Sequence, residues 1–298
     1  MGSIELSVLA RLKNKSKERK IPLQQLLNLF CQEEFLRRLS KSKHRDQLIL
    51  KGGFLLYSIS GFTTRPTVDS DYLLKGYSNN IEEIEELVID IIESPTENDF
   101  IKLKIRTIEI NQEIREYSGA RINLEGTIGR TKTPFSIDFG VGDIVVPSYI
   151  ERIIPVILGD FEKPKIFTYS LESTIAEKLD SIISLMGATS RMKDFYDIYY
   201  LATNFDFEGK QLKNAIYKTL SNRSTPYNED SIQGIRELGN DEIMQKRWNN
   251  FCDKVLGYKL DFSVVLNSIT KLIEPPFESI VDETKFTKKW GHAEGKYE

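Results

Sequence analysis

The sequence has few of the residues that several kinds of functional site require. Among 298 residues it contains two cysteines, Cys31 and Cys252, and two histidines, His44 and His292. These numbers exclude a disulfide framework and a zinc cluster built from cysteine and histidine. We therefore expect two free, buried thiols, and we expect carboxylates to build any metal site.

Long hydrophobic runs are also absent. No apolar stretch reaches the roughly 18 residues that a membrane-spanning helix needs, and the N-terminus lacks the order of basic, apolar and small residues of a signal peptide. Both absences predict a cytoplasmic protein without a membrane partner.

The net charge of −3 neither favours nor excludes a nucleic-acid partner. Residues 11–20 nevertheless hold six basic residues and one acidic residue, and a second basic cluster runs from Arg37 to Arg45. Basic patches can attract a polyanion. The alternative, a solvated helix face, is the commoner explanation of a basic run alone.

The pattern of apolar residues predicts an α+β protein. Two helices fill the first 40 residues, with Pro22 in the first turn of the second, and an amphipathic helix covers residues 80–93. Short strands are predicted at residues 47–50 and within 65–74. Alternating apolar residues predict three longer strands, covered mainly on one face, at residues 101–110, 121–128 and 133–140.

After about residue 150 the pattern becomes mostly helical. The predicted helices lie near residues 170–187, 191–203, 208–221, 241–256 and 262–273. We therefore predict two domains: residues 1–150, with a helical N-terminal arm and a mixed sheet, and a helical domain of residues 151–298.

The segment R-P-T-V-D-S-D-Y-L-L, residues 65–74, combines a strand pattern with two aspartates. Aspartate is a poor strand former, and alternation along a strand would point Thr67, Asp69 and Asp71 to one face. Two such carboxylates favour a cation between them, and Mg²⁺ typically takes one or two carboxylates together with substrate phosphates. An isolated D-x-D pair is nevertheless most often a solvated pair in a loop or at a sheet edge.

A third carboxylate occurs in a later strand. In F-S-I-D-F-G the apolar residues Phe135, Ile137 and Phe139 share one face, and Asp138 lies on the other. Three carboxylates on neighbouring strands can hold two metal ions, an arrangement found in phosphoryl transfer.

A glycine pair, Gly52 and Gly53, separates a predicted strand from a predicted helix. Glycine lets backbone N–H groups approach a phosphate, and a helix N-terminus favours an anion. The alternative is a tight turn without a ligand. The D-x-D segment that follows strengthens the binding interpretation, because one part would hold a triphosphate and the other its metal.

Two later helices carry charge on their apolar faces. Lys178 projects among the apolar residues of 171–186, whereas Ser173, Glu177 and Asp180 fall on the opposite face. An inward lysine needs an anionic partner or ligand, unless its chain reaches solvent past its neighbours.

In the next helix, residues 190–201, Asp194 and Arg191 are predicted to point inward, and Lys193 and Asp197 outward. One interpretation is a buried Lys178–Asp194 pair that joins the helices. The other is the wall of an active site, in which Asp194 orients the cations toward a triphosphate. The two interpretations are compatible.

The motifs K-G-G-F, R-P-T-V-D-S-D, S-I-D-F, A-E-K-L and R-M-K-D-F-Y-D, spread over residues 48–201, resemble those of the AbiEii-type nucleotidyltransferase toxins. These toxins belong to the DNA polymerase β-like nucleotidyltransferase superfamily. The resemblance implies a nucleotidyltransferase-fold mixed β-sheet with flanking helices and a helical C-terminal half that completes the active site. One departure is the spacing from Gly53 to Asp69, which is longer than in the wider superfamily.

The resemblance also implies roles for single residues. The metal-binding residues would be Asp69, Asp71 and Asp138. The catalytic residues would be these three with Lys178 and Asp194. The nucleotide-binding residues would be Gly52, Gly53, Arg65, Thr67, Lys178 and Arg191, with Lys193 and Asp197 as supports.

The implied reaction is transfer of a nucleoside monophosphate from an NTP to RNA, with Mg²⁺ or Mn²⁺ and with release of pyrophosphate. The implied acceptor is the 3′ end of tRNA, so that transfer blocks translation, in a type IV toxin–antitoxin or phage-defence pair with a cognate antitoxin. The alternatives are transfer to a protein hydroxyl, a non-catalytic nucleotide-binding regulatory module on the same fold, or charged pairs with a purely structural role.

Overall fold

The computed structural model describes residues 2–76, 80–111 and 119–298, and the chain forms two compact units. The first unit comprises Met1–Gly142 and Ile150–Thr168. The second comprises Asp143–Tyr149 and Tyr169–Glu298. The fold is α+β, as the sequence predicts.

The first unit is a seven-stranded mixed sheet with helices. Its helices are α1 (Ser3–Arg19), α2 (Leu23–Lys41), α3 (Gly52–Ile59) and α4 (Ile81–Glu93). Its strands are β1 (Leu48–Lys51), β2 (Ser70–Leu74), β3 (Ile101–Asn111), β4 (Gly119–Ile128), β5 (Thr131–Gly140), β6 (Ile150–Ile153) and β7 (Lys165–Thr168). The strand order is β3-β4-β5-β2-β1-β7-β6, in which the β2–β5 and β1–β7 pairs are parallel and the other pairs antiparallel.

One face of the β3–β4–β5 part of the sheet forms the core. Alternate residues of β4 are buried, among them Ile122 and Leu124, and the residues between them are partly exposed. The same alternation along β5 buries Ile137 and leaves Asp138 partly exposed. The period-two pattern of the sequence therefore fixes which side chains reach solvent.

Helix α2 is buried over most of its length, including charged residues. Arg37 donates to Glu33 at 3.0 Å, to Glu34 at 3.3 Å and to the carbonyl of Glu162 at 2.8 Å. Part of the second basic cluster of the sequence is thus neutralised inside the unit.

Strand β2 begins at Ser70, so the expectation that Asp69 lies within the strand is wrong. The carbonyl groups before the strand accept side-chain donors instead of sheet hydrogen bonds. Gln32 Nε2 donates to the carbonyl of Val68, and Thr67 Oγ1 donates to that of Asp69 at 3.1 Å. Local side-chain hydrogen bonds of this kind compete with strand pairing.

The second unit is mainly helical. Its helices are α5 (Leu171–Leu185), α6 (Met192–Asn204), α7 (Gly209–Asn222), α8 (Ser231–Glu237), α9 (Glu242–Phe251) and α10 (Phe262–Val281). A small antiparallel sheet joins β8 (Phe207–Glu208), β9 (Lys289–Gly291) and β10 (Lys296–Tyr297).

Helix α10 continues eight residues beyond its predicted end, through Pro275 and Pro276. Pro276 and Phe277 are buried there, so packing outweighs the helix-breaking tendency of proline. No helix in the described ranges is long and apolar enough to cross a membrane.

Candidate active site

Asp71 and Asp138 lie opposite each other on neighbouring parallel strands. The register pairs Ser70 with Ile137 and Asp71 with Asp138. Residues paired in this way project from the same face of a sheet, and both aspartates are partly exposed. The fold therefore brings together two carboxylates that are 67 positions apart in the sequence.

The pair belongs to a row of charged residues across the sheet, which begins on β3 with Glu109, registered with Arg121. Arg121 of β4 is registered with Asp138, and Lys51 of β1 with Asp71. The row therefore places two carboxylates between two cations, on four consecutive strands in the order Arg121, Asp138, Asp71, Lys51.

Arg121 holds both oxygens of Asp138. Its Nε donates to Asp138 Oδ1 at 2.8 Å, and its Nη2 donates to Oδ2 at 2.7 Å. The same Nη2 lies 3.9 Å from Asp69 Oδ2, so Asp69 and Asp138 approach one cationic group. The hydrogen bonds with Asp138 and the neighbouring carboxylate charges raise the pKa of Arg121.

Arg121 was missed at the sequence level. It lies in A-R-I-N-L, at a polar position of an alternating strand, and nothing in that pattern distinguishes it from a solvated residue. Strands β4 and β5 are joined by a turn at Gly129 and Arg130, and this turn sets their register. The register would have identified Arg121 as a site residue, because it pairs Arg121 with Asp138.

The glycine turn lies directly against the D-x-D segment. Gly52 has φ +67°, and a Cβ on it would come within 2.0 Å of Asp71 Oδ2. A Cβ on Gly53 would meet Thr67 Oγ1 at 3.0 Å and Arg65 Nη2 at 3.2 Å. The structure thus brings Gly52, Gly53, Arg65, Thr67 and Asp71 together.

Helix α3 begins at Gly52, and the side chain of the preceding Lys51 does not cap it. The N–H groups of a first helical turn lack intrahelical partners. Together with the helix dipole they favour an anion at this point.

The donors of this site fit a hard divalent cation. Carboxylate oxygens are the ligands that Mg²⁺ prefers, and a guanidinium cation already lies between Asp69 and Asp138. Among the described residues, however, no three His, Cys, Asp or Glu side chains are close enough together to form a metal site by themselves. A bound cation would therefore need oxygen ligands from a substrate, as Mg²⁺ commonly has.

The second unit contains a separate buried ion cluster. Lys178 Nζ lies 3.0 Å from Asp194 Oδ1 and 2.6 Å from Asp197 Oδ2, and Arg191 Nε donates to Asp194 Oδ2 at 2.6 Å. Burial raises the pKa of Asp194, but the charges of Lys178 and Arg191 outweigh it and lower the pKa to about 2. The cluster therefore keeps Asp194 ionised in the protein interior.

Three expectations about these helices are wrong. Asp197 was expected to point outward, yet it is buried and contacts Lys178. Arg191 was expected to point inward, yet 51% of its side chain is exposed. Ser173 and Asp180, placed on the outer face of α5, are both buried.

Asp180 is buried because it has partners on neighbouring segments. It accepts hydrogen bonds from Arg223, at 3.0 Å, and from Thr225. A helical projection cannot detect these partners, because it treats each helix alone.

The family model described as nucleotidyl transferase AbiEii toxin, type IV TA system, matches residues 34–283. The chain belongs to this AbiEii family. It is therefore a nucleotidyltransferase of a toxin–antitoxin family, as the resemblance in the sequence implies.

A solved structure, that of MenT4, agrees in fold. MenT4, a nucleotidyltransferase toxin from Mycobacterium tuberculosis H37Rv, is 13% identical to the present chain, with a TM-score of 0.57. The match covers 93% of the present chain and 99% of the MenT4 chain. JHP933 from Helicobacter pylori has 14% identity with a TM-score of 0.47, over 87% and 97% of the two chains. No curated protein sequence matches the chain.

Proposed function

We propose that this nucleotidyltransferase transfers a nucleoside monophosphate from an NTP to an RNA acceptor, at the first unit's row of charged residues. The observation that carries the proposal is the register of Asp71 with Asp138 beside Gly52. The paired carboxylates lie next to a helix N-terminus, which favours phosphate. The proposed acceptor is the 3′ end of tRNA, so that transfer would block translation.

In the proposed reaction a hydroxyl oxygen of the acceptor attacks the α-phosphorus of the NTP. A new P–O bond forms, the bond to the β-phosphate oxygen breaks, and pyrophosphate leaves. Asp138 accepts the hydroxyl proton. The N–H groups at Gly52 and Gly53 hold the triphosphate, and Arg65 lies beside them. Positioning and charge neutralisation supply most of the catalysis in such transfers.

We propose that Asp69, Asp71 and Asp138 hold Mg²⁺ or Mn²⁺ together with the phosphates. The bound cation would neutralise charge on the transferred phosphoryl group and on the leaving pyrophosphate. The protein's own contribution is to keep Asp71 and Asp138 on one face of the sheet and to hold Asp138 through Arg121.

We further propose that the Lys178 cluster serves the same reaction. The ion pairs with Asp194 and Asp197 fix the lysine as a point charge for phosphate, and the partly exposed Arg191 offers a second cation. In this proposal the second domain completes the active site.

The test uses the purified full chain with Mg²⁺, each α-labelled NTP in turn, and total tRNA or a protein extract. We expect label on RNA that ribonuclease removes and protease does not. Asp71→Asn should abolish labelling. Asp99→Asn, an exposed aspartate of the same unit, is the matched control and should label normally.

Two outcomes would contradict the proposal. If protease removes the label, the acceptor is a protein hydroxyl and not RNA. Equal labelling of RNA by the wild type and the Asp71→Asn variant would show that the row of charged residues takes no part in the reaction.

A further inference from the structure

The polar face of β4 and β5 continues away from the carboxylates. Going down the two strands, the register pairs Arg121 with Asp138, Asn123 with Ser136, Glu125 with Pro134 and Thr127 with Lys132. All these residues project from one face, because the residues between them are buried in the core. The charged row and the far end of these strands therefore share one surface.

The middle of this surface is polar, and it includes the carboxylate of Glu109, which accepts hydrogen bonds from Asn123 Nδ2 at 2.9 Å and from Thr107 Oγ1 at 3.2 Å. Asn123 Nδ2 donates to Thr107 Oγ1 at 2.8 Å, and Ser136 Oγ donates to Asn123 Oδ1 at 2.8 Å. None of the described positions on this face carries an aromatic ring. The surface therefore offers hydrogen bonds and charge rather than base stacking.

The far end of the face is basic. We call its five cationic residues the basic end: Lys102, Lys104, Arg106, Arg130 and Lys132. Lys102 is level with Thr127 and Lys132, and Lys104 with Glu125. A β-bulge at Arg106 adds it to this group. Side-chain exposure is 45% for Arg106 and 64% for Lys132.

One carboxylate, Glu125, lies inside the basic end. It accepts a hydrogen bond from Arg106 and lies 3.9 Å from Lys132 Nζ. The hydrogen bond from Arg106 and the charges of Arg106, Lys132 and Lys104 lower its pKa. Lys102 and Arg130 form no ion pair with any residue in the described ranges, so the group retains an excess of positive charge.

The distance between the basic end and the carboxylates follows from the strand. Lys132 and Asp138 are six residues apart on β5, or about 20 Å at roughly 3.3 Å per residue. This is about the length of six stacked nucleotides at roughly 3.4 Å each.

We propose that the basic end binds the phosphate backbone of the RNA acceptor, about six nucleotides before the 3′ end that receives the nucleoside monophosphate. The inference rests on the proposed function for the identity of the acceptor. Because the described residues of this face include no aromatic ring for stacking, the RNA would be contacted at its phosphates. Such a contact does not depend on the base sequence.

The experiment measures RNA binding without NTP, so that it does not depend on transfer. Fluorescence anisotropy gives the Kd of a 12-nucleotide and a 4-nucleotide RNA between 50 and 200 mM salt. The variant is Lys102→Ala/Lys104→Ala/Lys132→Ala. The control is Lys13→Ala/Lys17→Ala/Lys20→Ala, which makes the same charge change on three exposed lysines of α1 and the residue after it.

Each phosphate contact to a single strand contributes about 0.7 to the slope of log K against log salt. For the 12-nucleotide RNA, we expect the slope of log K against log salt to be about two units smaller in the variant than in the wild type. Between 50 and 200 mM salt, the fold-increase in Kd should therefore be about 20 times smaller for the variant. The 4-nucleotide RNA cannot span both ends and offers fewer phosphates, so in the wild type it should bind more weakly and show a smaller slope than the 12-nucleotide RNA. A Lys102→Arg/Lys104→Arg/Lys132→Arg variant should retain the wild-type slope, which also controls for folding.

An unchanged slope in the alanine variant, or an equal loss in the α1 control, overturns the inference. The same holds if the variant loses binding to poly-glutamate but not to RNA, because the surface would then suit an acidic protein. If RNA binds as expected but no label is transferred, the proposed function fails, and what stands is that the basic end binds RNA phosphates. If label is transferred to RNA but the alanine variant keeps the wild-type slope, this inference fails and the proposed function stands.

Discussion

Arg121 and Asp138 face each other on β4 and β5, and the guanidinium holds both carboxylate oxygens, at 2.8 and 2.7 Å. A bidentate pair of this kind fixes orientation as well as charge. The carboxylate proposed to accept the acceptor's proton is therefore held in place by a residue of the neighbouring strand.

Replacing this arginine should affect metal binding and transfer in opposite directions. In Arg121→Gln a positive charge beside Asp69 and Asp138 is lost, and we expect Mn²⁺ to bind about fivefold more tightly, equivalent to about 1 kcal/mol at a partly exposed site. Transfer should fall, because Asp138 loses its orientation. Electron paramagnetic resonance titration with Mn²⁺ and the labelling rate give the two readouts. Weaker Mn²⁺ binding in the variant would show that Arg121 supports the cation rather than competing with it.

The glycine turn gives a second prediction. Gly52→Ala adds a Cβ at φ +67°, which costs about 1–2 kcal/mol for an L-residue, and that Cβ would displace Asp71. We expect a loss of stability of at least this size in urea unfolding, together with loss of transfer. Gly53→Ala meets the Thr67 hydroxyl at 3.0 Å and the end of the Arg65 side chain at 3.2 Å, without the positive φ of Gly52, and should be milder in both measurements. Equal effects of the two substitutions would argue against the close contact with Asp71.

The buried cluster of the second unit can be separated into structural and chemical parts. Lys178→Met leaves Asp194 and Asp197 in the interior with less positive charge, and breaking such a pair costs about 3–5 kcal/mol. Adding Asp197→Asn should recover much of that stability in urea unfolding. Transfer should remain lost in the double variant if Lys178 acts on phosphate. Recovery of both stability and transfer would make the cluster purely structural.

The pKa of Asp194 predicts a pH dependence of stability. Its folded value of about 2 is below the usual value of about 3.9, so the unfolded chain binds the proton first as the pH falls. The stabilisation is therefore present above about pH 4 and is lost toward pH 2, with a total of about 2–3 kcal/mol. Urea unfolding from pH 5 to pH 2.5 should show this slope in wild type and a smaller slope in Asp194→Asn. Parallel pH profiles for the two proteins would contradict the shift.

Local patterns in the sequence predict most of the elements near the site. Alternation correctly identifies β3, β4 and β5 and places Asp138 on the face opposite Ile137, because a strand has a strict period of two. The helical period identifies Lys178 as buried. Each of these conclusions requires only the residues of a single element.

The errors concern contacts between elements. Asp69 falls before β2 because Gln32 and Thr67 occupy the nearby carbonyl groups, and Gln32 is 37 positions from Asp69. Asp197 and Asp180 are buried because cations on other segments compensate their charge. Arg121 gains its importance from strand register alone. A periodicity within one segment contains none of this information.

The start of β2 gives the three carboxylates unequal freedom. Asp71 and Asp138 belong to paired strands, and moving either backbone would break sheet hydrogen bonds. Asp69 lies one residue outside, where its carbonyl is held by the hydroxyl of Thr67. In the proposed site, two of the carboxylates are thus fixed by the sheet and the third is not, so closure of this site around its substrate would require only Asp69 to move.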